Sequence, residues 1–123
     1  MKVRGVRGAT TVKENTEQEV LEATRELLEE MLKLNEIKEE DIASIFLSMT
    51  SDLDQVFPAV AAREIGLTDT PLLCTQELEV KGALEKCIRI LIHYNTIKSL
   101  TEINHIYLRE AESLRLDLVE EEE

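Results

Sequence analysis

The sequence predicts a single-sheet α/β or α+β domain, and three observations carry the prediction. Five short segments rich in β-branched and other apolar residues are spread along the 123-residue chain. Between the first two lies a longer segment whose apolar residues recur at helical spacing. No internal repeat or low-complexity linker divides the chain, and its length suits one domain with a self-supporting core.

Residues 3–12 (VRGVRGATTV) mix β-branched residues with two Arg and two Gly and read as the strand that starts the sheet. Alternation along a strand puts Arg4 and Arg7 on opposite faces, so one can lie on the surface while the other points into a site. Gly5 and Gly8 leave room for a close approach to the backbone. The next segment is the clearest helix. Thr16 caps it, and Glu19 three residues later has the spacing of a capping box. Val20, Leu21, Ala23, Leu27, Leu28, Met31 and Leu32 form its apolar stripe. Glu22, Arg25, Glu26, Glu29 and Glu30 take the other face, Arg25 meets Glu29 on the surface, and Asn35 is the stop.

Residues 42–49 (IASIFLSM) read as a buried strand, followed by a polar loop at Thr50, Ser51, Asp52 and Asp54. Residues 57–65 read as a short helix with Pro58 in its first turn and Gly66 at its end. Residues 70–75 are a further strand, and residues 79–83 a loop with Gly82. In residues 84–94 (LEKCIRILIHY), Ile88, Ile90 and Ile92 point one way and Cys87, Arg89, Leu91 and His93 the other. A helical turn near Leu100 leads to a last strand at residues 105–109 (HIYLR). One useful helix cannot cover both faces of five strands, which predicts a homo-oligomer that closes the rest.

Composition narrows the function. The net charge of -12 disfavours nucleic acid and anionic membranes, which both need Lys and Arg in excess. No apolar run approaches the ~18 residues of a membrane span, and the N-terminus lacks the regions of a signal peptide, so the expected location is the cytoplasm. Cys74 and Cys87 match no zinc spacing and make no disulfide framework, so with His93 and His105 they read as buried thiols and ordinary histidines rather than a metal site. There is no Gly-rich phosphate loop, nucleophile elbow or H-E-x-x-H.

What remains is arginine. Arg89 sits in the middle of an apolar strand. It either pairs with a carboxylate such as Glu77 or Glu79, or points a rigidly mounted guanidinium at a carboxylate or electronegative oxygen of a ligand. Arg7 has a similar standing, with a surface ion pair as its plain reading. Arg63 on a short helix reads as an exposed charge. Arg115 lies in LRLDL, too apolar for a loose tail. Tyr107 is one of two tyrosines and reads as core or as a ligand contact. Several arginines with no nucleophile point to a small polyanion and, if there is chemistry, to electrostatic stabilisation.

Four stretches together resemble one family, the monofunctional, trimeric chorismate mutases, as distinct from the all-helical class. They are VRGVRGATTV, SMTSDLDQVFPAVAARE, CTQELEVKGALEKCIRI and HIYLREAESLRLDL, which span residues 3–118 in matching order and spacing. Composition predicts that the acidic tail at residues 119–123 is disordered and solvated. The resemblance implies a single chorismate mutase domain over residues 1–118. It implies an α+β fold, with one mixed five-stranded sheet, one long helix packed on it, and a homotrimeric pseudo-α/β-barrel with active sites between subunits. It implies the Claisen rearrangement of chorismate to prephenate, with no cofactor and no metal. By the same resemblance Arg7 and Tyr107 contact the enolpyruvyl carboxylate, Arg89 also approaches the ether oxygen, and Glu77 and the Cys74 region face the ring hydroxyl. Phe57, Ala59, Arg63, Leu114 and Arg115 are wall and closing residues, and Leu73 adjoins the substrate beside Cys74.

Three positions depart from the family pattern. Val60 stands where relatives carry a lysine, Leu73 where they carry a small polar residue, and Leu116 where they carry a proline. Two other readings share the architecture: a non-catalytic trimeric module that binds an anionic metabolite, and a trimeric hydrolase of enamine or imine intermediates, whose motifs are missing here.

Overall fold

The computed structural model describes residues 1–114. Arg115, Leu116, the domain boundary at residue 118 and the acidic segment 119–123 lie outside the described residues. Five strands form one sheet: β1 (Lys2–Thr11), β2 (Ile42–Met49), β3 (Leu72–Gln76), β4 (Cys87–Thr96) and β5 (Ile106–Tyr107). Their spatial order is β3-β2-β4-β1-β5. The central β4 runs antiparallel to both neighbours, while β2 with β3 and β1 with β5 are parallel, so the sheet is mixed.

Alternation assigns the two faces. Val6 of β1, Ile45 and Leu47 of β2, and Ile90 and Ile92 of β4 share one side with no more than 2% exposure each. Helix α1 (Glu17–Leu34) lies across that side, and its Leu27, Leu28 and Met31 join the same core. The short helix α2 (Ala59–Glu64) adds Ala59 and Ala62. Thr24 also faces inward, which its type did not suggest. Its hydroxyl donates to Val20 O at 2.7 Å, satisfying the buried oxygen within the helix.

Gly8 sets how near the helix comes. A Cβ there would overlap Met31 Sδ and sit 3.1 Å from Leu27 Cδ1, so the close approach expected at this glycine is that of α1. At Gly5 an added Cβ would make only ordinary contacts.

Several local expectations need correction. Thr16 accepts from Glu19 N at 3.2 Å, but the Glu19 carboxylate takes the Lys13 and Glu14 amides rather than closing the capping box. Asn35 ends α1 as expected, its buried amide bonding Met31 O and Asn104 O at 2.9 Å each, and Glu36 beyond it takes a positive φ of 53°. The strand expected at residues 70–75 is Leu72–Gln76, and β4 starts later and runs further than expected. The last strand is two residues long, because Arg109 at φ 54° turns the chain into a 3-10 turn, Arg109–Ala111. Gly66, at φ 101°, ends α2 as expected.

Among the described residues, the other face of the sheet is only partly covered. Ala111 packs on Ala9 and Cys87 at one end, with Leu84, Tyr107 and Leu114 against them. Beyond this, Val3, Phe46 and Leu73 are exposed. No helix among the described residues is long and apolar enough to cross a membrane.

Candidate active site

Strand register turns scattered residues into rows on the open face. Thr75, Ser48, Arg89, Ala9 and Tyr107 are successive cross-strand partners over all five strands. Leu73, Phe46, Leu91 and Arg7 form the adjoining row. Arg89 thus sits at the centre of the sheet on its uncovered side, where its side chain keeps 44% exposure. Arg4 lies on the opposite face, its Nε donating to Lys98 O at 3.1 Å. A cavity of about 410 Å³ opens above these rows, lined by Arg7, Arg89, Glu77, Tyr107 and Leu114 together with Phe46, Ser48, Thr75 and Leu91. Its size is within the range of small-molecule sites.

Glu77 follows β3 directly. Its amide donates to Met49 O at 2.9 Å, which anchors the backbone beside β2. Its carboxylate then folds onto the open face. Oε1 lies 3.0 Å from Arg89 Nε, and Oε2 accepts the Ser48 hydroxyl. Both readings of Arg89 therefore hold at once: the guanidinium is paired with Glu77 and still faces a cavity. With both side chains partly exposed, the pair contributes at most about 1 kcal/mol to folding. Its consequence is orientation, since a fixed guanidinium presents its fork in one direction. Cys87, two residues before, is buried. Burial pushes its thiol up, against the opposing pull of the Arg89 charge, so the group stays a thiol and is a poor nucleophile.

Arg7 is placed by a different device. Strand β5 pairs only with Gly8 and Ala9, so the Arg7 amide lacks a ladder partner on that side and donates to His105 Nδ1 at 3.0 Å. Burial first, and the Arg7 charge second, hold the His105 imidazole below its ordinary value of 6.5. The sign follows. The contribution is complete above the unfolded value, and it is lost as pH falls through the lowered folded value, because the unfolded chain takes the proton first. On lowering pH from about 7.5 to 5.5, urea midpoints of the wild type should fall more steeply than those of His105→Asn. Parallel slopes would show that His105 is not responsible.

The other predicted site residues are not all gathered here. Phe57 and Cys74 line a separate recess of about 290 Å³ with Met49, Pro58 and Gln76, and Thr75 borders both spaces. Cys74 is half-buried against the helix-side core. Ala59 is in that core at 4% exposure, and Arg63 is exposed on α2. Leu73 is on the open face next to Phe46 but outside the cavity lining. Cys74 and Cys87 face opposite sides of the sheet, and among the described residues no group of three or more His, Cys, Asp or Glu could hold a metal ion. Sequence reasoning missed Ser48, Phe46, Thr75 and Leu91. The signal for Ser48 was a hydroxyl two residues from Phe46, on the same face of an otherwise apolar strand.

Fold and site define a single-sheet α+β protein whose open face carries two arginines at a small-molecule-sized cavity, Arg89 held there by Glu77. The chain belongs to the chorismate mutase type I family, whose family model matches residues 3–118. It is 45% identical over 119 residues to the chorismate mutase AroH of Bacillus subtilis, covering 96% of this chain and 94% of that one. It is 47% identical over 117 residues to the chorismate mutase AroH of Thermus thermophilus, covering 94% and 96%. A solved chorismate mutase from Clostridium thermocellum superposes with a TM-score of 0.88 at 48% identity, over 89% of this chain and 98% of that chain.

Proposed function

We propose that this chain is a cytoplasmic chorismate mutase, an isomerase of phenylalanine and tyrosine biosynthesis that converts chorismate to prephenate. The observation that carries the reading is Arg89: a guanidinium at the centre of the sheet, held by Glu77 and aimed into a cavity that also contains Arg7 and Tyr107. In the reaction one C–O bond breaks as one C–C bond forms within the same molecule, and no proton need move. The protein has two tasks, selecting the compact conformer and stabilising the charge that develops on the ether oxygen. Arg7 and Tyr107 hold the enolpyruvyl carboxylate, Arg89 meets the ether oxygen, and Glu77 accepts from the ring hydroxyl. The Glu77 carboxylate has lone pairs to spare beyond its bonds to Arg89 and Ser48.

The site is completed between subunits of a homotrimer. Two facts support this: the open sheet face leaves Phe46 and Leu73 exposed, and Phe57 and Arg63 lie away from the cavity, with Phe57 71% exposed beside the edge strand β3. A neighbour's Phe57 and Arg63 would then wall the cavity of the next chain, with Leu114 and Arg115 closing it. The ligands are chorismate and prephenate, with no metal or cofactor, and neither nucleic acid nor membrane is a partner.

The test is loss of chorismate absorbance on adding purified protein with a chelator present, the product being confirmed by acid conversion to phenylpyruvate. Saturable, chelator-insensitive turnover is expected. A folded protein without turnover would leave an anion-binding module as the better description.

A further inference from the structure

We infer that Ser48 is a positioning residue for the active-site arginine, acting through Glu77. The inference rests on the mutase reading for its chemistry, while its geometry stands apart from it. Ser48 is the direct cross-strand partner of Arg89, so its hydroxyl rises from the sheet beside the guanidinium. That hydroxyl donates to Glu77 Oε2, and Glu77 Oε1 accepts from Arg89 Nε at 3.0 Å. The two carboxylate oxygens therefore have separate duties, one toward Ser48 and one toward Arg89.

The arrangement answers a need created by the fold. Glu77 lies just beyond the end of β3 at the start of an irregular stretch, and only its amide is fixed, to Met49 O at 2.9 Å. A glutamate anchored by its backbone alone keeps several rotamers, and the guanidinium it holds would turn with it. The Ser48 hydroxyl comes from a strand inside the sheet, between β3 and β4. It selects one carboxylate orientation from a rigid support, as a precise site requires. Ser44, on the same face of β2, shows that a serine there does not by itself serve the arginine, because its hydroxyl is 3.2 Å from His93 Nδ1. What distinguishes Ser48 is the register that sets it opposite Arg89.

Ser48→Ala should lower kcat about tenfold with little change in KM, the scale for a small misplacement of a reacting group. Ser48→Thr, which keeps the hydroxyl, should recover most of that loss. In a Glu77→Ala background the Ser48→Ala change should alter kcat by less than about twofold, since a residue acting through another has nothing left to act on. Independent of turnover, hydrogen exchange of the Arg89 Nε–H, followed by NMR of isotope-labelled arginine, should quicken about tenfold in Ser48→Ala and return toward wild type in Ser48→Thr. Unchanged exchange, or equal rate losses with and without Glu77, would overturn the assignment. A wild type inert toward chorismate, with the exchange response intact, would remove the mutase reading and support the positioning role.

Discussion

Arg89→Ala is expected to lower the rate of the chemical step by at least about 10²–10³, the scale for losing one preorganised charge-stabilising donor, with the fold retained. The fold should survive because Arg89 is on the open face, 44% exposed in its side chain, and its ion pair with Glu77 is partly solvated. The rate should suffer because Arg7, the other arginine lining the cavity, stands in the adjoining row opposite Leu91, while Ala9 is the β1 partner of Arg89. Single-turnover measurement of chorismate loss, with circular dichroism on the same sample, separates the two effects. Replacing Arg89 by citrulline keeps the shape, the Nε–H and one terminal NH2, and removes the charge, the other terminal nitrogen becoming a carbonyl oxygen. If citrulline restores most of the rate, hydrogen bonding rather than charge carries the stabilisation. An alanine variant near the wild-type rate would end the ether-oxygen role.

Much of this site was readable in the sequence because β4 alternates strictly. Ile88, Ile90 and Ile92 could only face the core, which obliged Cys87, Arg89, Leu91 and His93 to share the other side, as they do. The helix stripe was equally plain, since its period needs no knowledge of what it packs against. What periodicity cannot supply is register. That Ser48 stands opposite Arg89, and Thr75 opposite Ser48, depends on how strands distant in sequence align, and no local pattern encodes it. The resemblance to a family gathered Phe57, Ala59, Arg63 and Cys74 into one site, yet in one chain Phe57 and Cys74 lie in a second recess and Ala59 in the core. A resemblance transfers residues without saying which copy of the chain presents them.

The shortened β5 and the half-made capping box have a common cause. In each, contacts made outside the element override its own preference. The Glu19 carboxylate serves two loop amides at once, which satisfies more donors than reaching back to Thr16 would. Arg109 accepts a left-handed backbone while its guanidinium bonds Thr11 O at 3.2 Å and meets Glu26 at 3.5 Å.

Gly8→Ala should destabilise the fold, and its size is set by competition between two terms. Overpacking a filled site costs about 1–3 kcal/mol, whereas alanine in place of glycine inside a strand gains roughly 0.5–1 kcal/mol of backbone entropy. The overlap should win here. The added methyl would meet Met31 Sδ in mid-side chain, with Leu27 Cδ1 at 3.1 Å closing the other escape. Both residues are fully buried, so neither can swing into solvent. The decisive measurement is a cycle with Met31→Ala, which alone should cost about 2–5 kcal/mol as a buried large-to-small change. The double variant should be less destabilised than the sum of the two singles, because truncating Met31 vacates the space the new methyl needs. Urea midpoints at fixed protein concentration would show this. Strictly additive losses would mean that Met31 is not what limits the approach of α1 to β1. The same displacement should reach the site, since Gly8 follows Arg7 directly on β1 and lines the cavity with it. A strand pushed off the helix carries Arg7 with it, so the single variant should also show a raised KM, relieved in the double.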